Sequence, residues 1–267
     1  MYEGMVERKN RCIRLNYANE FHMDILPAHP ADNTSSTCVK VPDRKAKGWK
    51  DSNPKGYANW FNDRSYQYEI MLEKRADIKP LPKDDGIERK PPLKRAVQLI
   101  KRYRDVYFEK DCDSAPISIV LTTLAGHLYE GQASVYDAIS VILNGILEHL
   151  PRDGKRLVVL NPSNKDEDLS ERWEGHPELY KKFVKFIKDF KANWDQLGEL
   201  RGIQEVAEEL KSMFGENIIN ETIKEQAEYM EKARETNQLG VFGSGLLVAA
   251  AKEEDVIPVR KNTFYGG

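Results

Sequence analysis

The sequence predicts an α+β protein, a small β-rich front followed by a helical body, and three observations predict it. Residues 11–17 (RCIRLNY) and 21–26 (FHMDIL) alternate apolar and polar positions with the period of a strand. From Leu93 onward the apolar residues fall at helical spacing, with Leu93, Ala96, Val97, Ile100 and Tyr107 on one stripe. Between these regions the chain from Pro27 to Pro92 is polar and rich in proline, and its stretch KPLPKDDGIERKPP reads as a connector. The expected division is therefore a front part over 1–92, a helical part over 93–256 and a flexible tail over 257–267.

Each element has a local reason. Ile13, Leu15 and Tyr17 share one face of the first strand, and Phe21, Met23 and Ile25 of the second are expected to point inward. Ala18, Asn19 and Glu20 form a connection short enough for a hairpin, and Pro27 with Pro30 ends the second strand. The alternation places Asp24 on the opposite face, beside His22 and Leu26. A helix is expected between Gly56 and Arg75, carrying Tyr57, Trp60 and Phe61. Pro116, in the first turn after Asp113 and Ser114, opens a nearly all-apolar helix to about Tyr129, which is expected to be buried. Ser134 and Asp137 have the spacing of a capping box for a helix ending near His149. RLVVL is expected to be a strand running into an Asn161-Pro162 turn, followed by a solvated acidic loop over 166–168 and a packing Trp173. Helices over about 177–197, 203–213 and 217–236 come next, then GVFGSG, whose glycines read as a hinge, and an irregular end.

Composition narrows the classes. A chain of 267 residues with 40% hydrophobic content and a formal charge of −2 can bury a sizeable core. Its apolar runs stop short of the roughly 20 residues of a membrane span, and the first residues lack the apolar core of a secretory signal, so a cytoplasmic protein is expected. Three widely spaced cysteines, Cys12, Cys38 and Cys112, argue for neither a disulfide framework nor a zinc site. Lys90, Lys94, Arg95, Lys101, Arg102 and Arg104 crowd one segment, either as a solvated helix face or as the lining of an anion site.

Five blocks in order, FHMDILPA, SNPKGYANWF, APISIVLTTLAG, NPSNKDEDLSERW and the terminal NTFYGG, together resemble the bacterial cGAS/DncV-like nucleotidyltransferases (CD-NTases) of CBASS anti-phage systems, relatives of oligoadenylate synthase. The resemblance implies a polymerase-beta-like nucleotidyltransferase sheet followed by an oligoadenylate-synthase-like helical domain, with the active site between them. It implies a synthase that joins NTPs, ATP among them, into a cyclic di- or trinucleotide. Three carboxylates of the family hold two Mg2+ ions roughly 3.5–4 Å apart, and Asp24 matches the third as catalytic residue and metal ligand. The first two, with a Gly-Ser turn, are expected to precede residue 1, so that this chain alone is expected to be inactive. Asp111-Cys112-Asp113 copies the D-x-D spacing but reads as a loop and helix cap. Gly243-Ser244 with Glu253-Glu254-Asp255 puts a charge where a strand interior wants an apolar residue.

By the same resemblance Lys101 and Ser118 are the expected donor-phosphate contacts, with Lys94, seven residues earlier on nearly the same helical face, as the alternate. Ser52, Asn53, Lys55 and Tyr57 are expected near the acceptor pocket, and Tyr57 and Trp60 either stack on a base or pack. Gly267 is the expected site of conjugation by an E1/E2-like partner. Neither a membrane nor nucleic acid is an expected partner. The rival expectation is a non-catalytic nucleotide-binding remnant or partner-binding protein.

Overall fold

A computed structural model describes residues 4–10, 12–17, 21–31, 37–44, 47–66, 90–242, 247–248 and 256–259. The chain separates into two compact units, Met1–Trp194 and Asp195–Gly267. The connector on which the expected 92/93 boundary rests lies, through residue 89, outside the described residues.

The first unit opens with β1 (Val6–Arg8), β2 (Ile13–Tyr17) and β3 (Phe21–Ile25), an antiparallel sheet in the order β1-β2-β3. Tyr17 pairs with Phe21, Leu15 with Met23 and Ile13 with Ile25, so six apolar side chains share one face. The hairpin tip, 18–20, is outside the described residues. The expectation that Phe21, Met23 and Ile25 point inward is overturned: they are 59%, 49% and 47% exposed. The alternation is as expected, but no described element stands over this face.

A second antiparallel sheet, β4 (His29–Pro30), β5 (Val39–Asp43) and β6 (Gly48–Ser52) in that order, occupies a stretch read from sequence as merely polar and proline-rich. Val41 is its buried apolar residue among those described. Buried Asp43 accepts from Asn10 Nδ2 at 3.2 Å, tying this sheet to the turn before β2. Helix α1 (Pro54–Ser65) follows at once, with Asn53 Oδ1 accepting from the Gly56 N–H at 3.0 Å as its N-cap. The expected extension to Arg75 lies outside the described residues beyond Tyr66.

The body comprises α2 (Pro92–Tyr107), α3 (Ser118–Leu128), α4 (Val135–Glu148) and α6 (Pro177–Glu199), the short α5 (Arg172–Gly175) preceding the last. Proline in the first turn opens α2, and Leu93, Ala96, Val97, Ile100 and Tyr103 form its buried stripe. Residues 120–126 of α3 are all buried, which explains its apolar run. Its start is corrected from Pro116 to Ser118, since a 3-10 turn over Cys112–Ser114 intervenes. Ser134 caps α4, accepting from the Asp137 N–H at 3.0 Å and donating to its carboxylate at 2.6 Å. Phe183, Phe186, Ile187 and Phe190 of α6 are fully buried, and Phe190 stacks on Tyr103 with centroids 4.0 Å apart.

The expected RLVVL strand is likewise corrected. Pairing is confined to β7 (Leu160–Asn161) with β8 (Asn164–Asp168), so the supposed acidic loop is itself a strand. Arg156, instead of extending the strand, donates to Asp168 at 2.6 Å.

In the second unit, α7 (Ile203–Phe214) and α8 (Glu216–Glu235) pack on each other and are joined at Gly215, whose φ of +98° would strain a residue with a β-carbon. Among its described residues, Met213, Phe214, Ala233, Leu239 and Gly240 are buried. Strands β9 (Gly240–Phe242), β10 (Leu247–Val248) and β11 (Val256–Pro258) make a sheet in the order β10-β9-β11. Regular structure thus reaches Pro258; 243–246 and 260–267, with Gly267, are outside the described residues. Among the described residues no helix is long and apolar enough to cross a membrane.

Candidate functional site

Helix α2 buries one stripe and carries Lys101 and Arg104 one turn apart, with Arg104 reaching the start of α3. Arg104 Nη1 donates to Ser118 Oγ at 2.6 Å and to the Pro116 carbonyl at 3.3 Å, while Nε donates to Asp105 at 2.8 Å. Burial lowers the pKa of Lys101, and the positive charge of Arg104 lowers it further, against a smaller opposing pull from Asp105. The N-cap of α3 is Ile117, which offers no side-chain acceptor to the first N–H groups. Arg104, itself paired with Asp105, meets a hydroxyl at an uncapped helix N-terminus, and Lys101 lies one turn back along α2, an arrangement suited to phosphate oxygens. Arg104 was not singled out from the sequence; its place in the basic run, three residues after Lys101, was the available signal. Lys94 has a different setting, its ammonium 5.1 Å from the centroid of the Tyr66 ring.

Ile117 and Ile119, on either side of Ser118, help line a cavity of about 400 Å³. Ser52, Asn53, Tyr57 and Asn161 form another part of its wall, and Glu167, Asp168, Glu171 and Arg172 carry its charge. Three of the four residues expected from the Ser52 block are therefore together here; Lys55 is exposed on the first turn of α1 and is not among the lining residues. Asn53 Nδ2 donates to the Ser163 carbonyl at 3.2 Å, and Ser163 Oγ returns a bond to the Asn53 carbonyl at 3.1 Å. The Tyr57 hydroxyl lies 2.9 Å from Thr123 Oγ1, and burial pushes its pKa up. Burial works to raise Asp168, but bonds from Ser170 and Arg156 prevail and hold its carboxyl below the usual range.

Close packing holds this wall in place. A β-carbon at Gly126 would sit 2.5 Å from Trp60 Cη2, so the indole lies directly on the backbone of α3. Trp60 is thus placed in the contact of α1 with α3. Arg64 then donates to the carbonyls of Gly126 (2.6 Å), His127 (3.2 Å) and Tyr129, satisfying the end of α3.

Asp24 is engaged within the β2–β3 pair. Arg14, its cross-strand partner, donates Nε to Oδ1 at 2.7 Å and Nη2 to Oδ2 at 2.9 Å. The hydrogen bond from Arg14 keeps the Asp24 carboxyl below the usual carboxylate range. Both oxygens therefore face a guanidinium, and among the described residues no group of three or more His, Cys, Asp or Glu is placed to hold a metal ion. Among the described residues Asp24 thus offers a Mg2+ ion a single carboxylate, one that Arg14 occupies. Asp111 accepts from Lys182 at 2.6 Å and from Ser114 at 2.9 Å. Gly243, Ser244 and 253–255 lie outside the described residues.

The signature of the Second Messenger Oligonucleotide or Dinucleotide Synthetase domain matches residues 1–65. A c-di-GMP synthase of Roseivirga ehrenbergii is 36% identical over 267 residues, covering 99% of this chain and 70% of its own length. The cyclic dinucleotide synthase CdnG of Bradyrhizobium diazoefficiens is 23% identical, and the alignment spans 65% of its length. The structure of that CD-NTase in complex with GTP superposes with a TM-score of 0.66 at 20% identity, over 83% of this chain and 68% of the other. The 3'-deoxy GTP bound form of Escherichia coli DncV gives a TM-score of 0.58 at 18% identity, over 80% of this chain and 52% of the other.

Proposed function

The chain belongs to the CD-NTases, the cGAS/DncV-like nucleotidyltransferases, and from that membership we propose that it binds an NTP for cyclic dinucleotide synthesis, with guanine nucleotides as the first candidates. The observation that carries this reading is Arg104 bridging to Ser118 beside the half-buried Lys101, at the edge of the 400 Å³ cavity. In the proposal Lys101 and Arg104 neutralise the triphosphate, and the first N–H groups of α3 donate to its oxygens. Tyr57, held by Thr123, offers a flat wall to the base, and Asn53 shapes the same wall through its clasp with Ser163.

Bound Mg2+ would supply charge neutralisation for the attacking and leaving oxygens. Asp24 is proposed as one of its carboxylate ligands, which requires Arg14 to release it. We extend the proposal, on family resemblance, to anti-phage signalling and to conjugation of Gly267 by an E1/E2-like protein.

The test is binding of GTP to the purified chain by calorimetry. Lys101→Ala and Arg104→Ala should each weaken it by about tenfold or more, the size of a lost charge-assisted bond. Lys94→Ala should change it less than about twofold, within the range of surface substitutions. Equal losses from all three would sink the assignment of the phosphate site. The bidentate Arg14–Asp24 pair favours a second reading, nucleotide binding without turnover. GTP binding with no cyclic product when Mg2+ is supplied would select it.

A further inference from the structure

A cavity of about 720 Å³ opens between the C-terminal end of α4, the turn after it and the first half of α6. Leu147, Leu150, Tyr180 and Val184 give it an apolar lining with one aromatic ring, while Arg152, Lys155, Lys181 and Lys188 supply the cations. Glu148 is the carboxylate among the lining residues. Lys155 is satisfied by Asp153 at 2.8 Å. Arg152, Lys181 and Lys188 have no ion-pair partner among the described residues.

Helix α6 provides its own control. One residue round the helix, Lys182 donates to Asp111 at 2.6 Å and to Ser114 Oγ at 2.7 Å, and Lys185 pairs with Asp189. The lysines on that face have partners from the protein. Lys181, Val184 and Lys188 follow the i, i+3, i+7 spacing of a separate stripe, and the two ammonium-bearing positions are about 10 Å apart along the axis. Unpaired cations around a concave apolar floor concentrate a positive field where a small anion can enter. The volume lies within the roughly 300–1,000 Å³ of small-molecule sites.

We propose that this cavity is a second binding site, separate from the Lys101–Arg104–Ser118 cluster, for a nucleotide carrying two separated phosphate groups, with a base against Tyr180 and Val184. A cyclic dinucleotide has that chemistry: two phosphodiesters for Lys181 and Lys188 and planar bases for the apolar floor. The choice of a phosphodiester ligand rests on the reading of the chain as part of a cyclic dinucleotide synthase. The cavity and its unpaired cations do not.

Calorimetry on the full chain with c-di-GMP as the probe tests this, with GTP and inorganic phosphate as comparison ligands. Lys181→Glu combined with Lys188→Glu should weaken c-di-GMP by more than about tenfold, and the milder Lys181→Gln with Lys188→Gln should weaken it in the same direction. Both lysines are exposed, so unchanged circular dichroism and Tm are expected in both variants. The Lys101→Ala, Arg104→Ala double variant should retain c-di-GMP binding while losing GTP. The proposal is overturned by no c-di-GMP binding to the unaltered chain, by binding indifferent to the 181/188 changes, or by binding abolished with the 101/104 changes. Inorganic phosphate binding as tightly as c-di-GMP would also overturn it, leaving a nonspecific anion site. Loss of GTP dependence on Lys101 would instead strike the catalytic-cleft reading, so the two failures are separable.

Discussion

The β1-β2-β3 sheet and the helical body use the same kinds of side chain to opposite effect. In the sheet, Ile13, Leu15, Tyr17, Phe21, Met23 and Ile25 are aligned on one face by the strand register, yet Phe21 remains 59% exposed. In the body, Phe186 and Phe190 of α6 meet Tyr103 of α2, Phe183 meets Trp173, and all three are completely covered. The difference lies in what stands opposite. A shared face is a property of one element, whereas burial belongs to two, and only the second removes apolar surface from water.

The sharpest way to break this comparison is to truncate one phenylalanine in each region. Phe186→Ala should destabilise the first unit by about 3–5 kcal/mol, as expected for a buried aromatic. Phe21→Ala removes only its stack on Tyr17, centroids 4.6 Å apart, and should cost no more than about 1 kcal/mol. Chemical denaturation measures both, and comparable losses would show that the sheet face is covered in solution.

A smaller effect is expected where α1 meets α3. Gly126→Val would drive side-chain atoms into the Trp60 indole and should destabilise by about 1–3 kcal/mol. Trp60→Leu in the same chain should recover part of the loss, and no recovery would mean that Trp60 is not the obstacle.

The smallest concerns a half-covered charge. Because burial and Arg104 lower the pKa of Lys101, its ammonium is lost at a pH below the usual lysine value of about 10.4. If GTP binding uses the charged form, as proposed, affinity should fall as pH rises through that lowered pKa, by no more than the loss that Lys101→Ala causes. Lys101→Arg keeps its charge and should carry binding to higher pH. Identical alkaline limbs for the two chains would remove Lys101 from the phosphate site.

The helices were the legible part of this fold because their signals are local: Ser134 and Asp137 cap α4, and the stripe from Leu93 to Ile100 is written at helical spacing. The β4-β5-β6 sheet escaped notice because Pro30 and Pro42 sit inside its strands and mask their alternation. Strand β8, Asn164–Asp168, is polar throughout; side-chain bonds such as Arg156 to Asp168 hold it, and hydrophobic period has no part in it. At the candidate site, Lys101 and Ser118 were nameable as residues, while Arg104 depends on how far a guanidinium reaches between two helices. The face of Asp24 could be read from alternation. Its partner Arg14 could not, because cross-strand register is set by the turn between the strands.

Asn53 and Ser163 exchange hydrogen bonds although 110 residues separate them in the chain. Contacts of such separation contribute little to an early nucleus, because the loop must close before any bond repays its lost freedom. The helices between them form from neighbours in sequence and can assemble first. The wall of the 400 Å³ cavity is then expected to be the late part of this unit to take shape, and a chain that has gained its helical signal but not this cavity is the species to look for in refolding experiments.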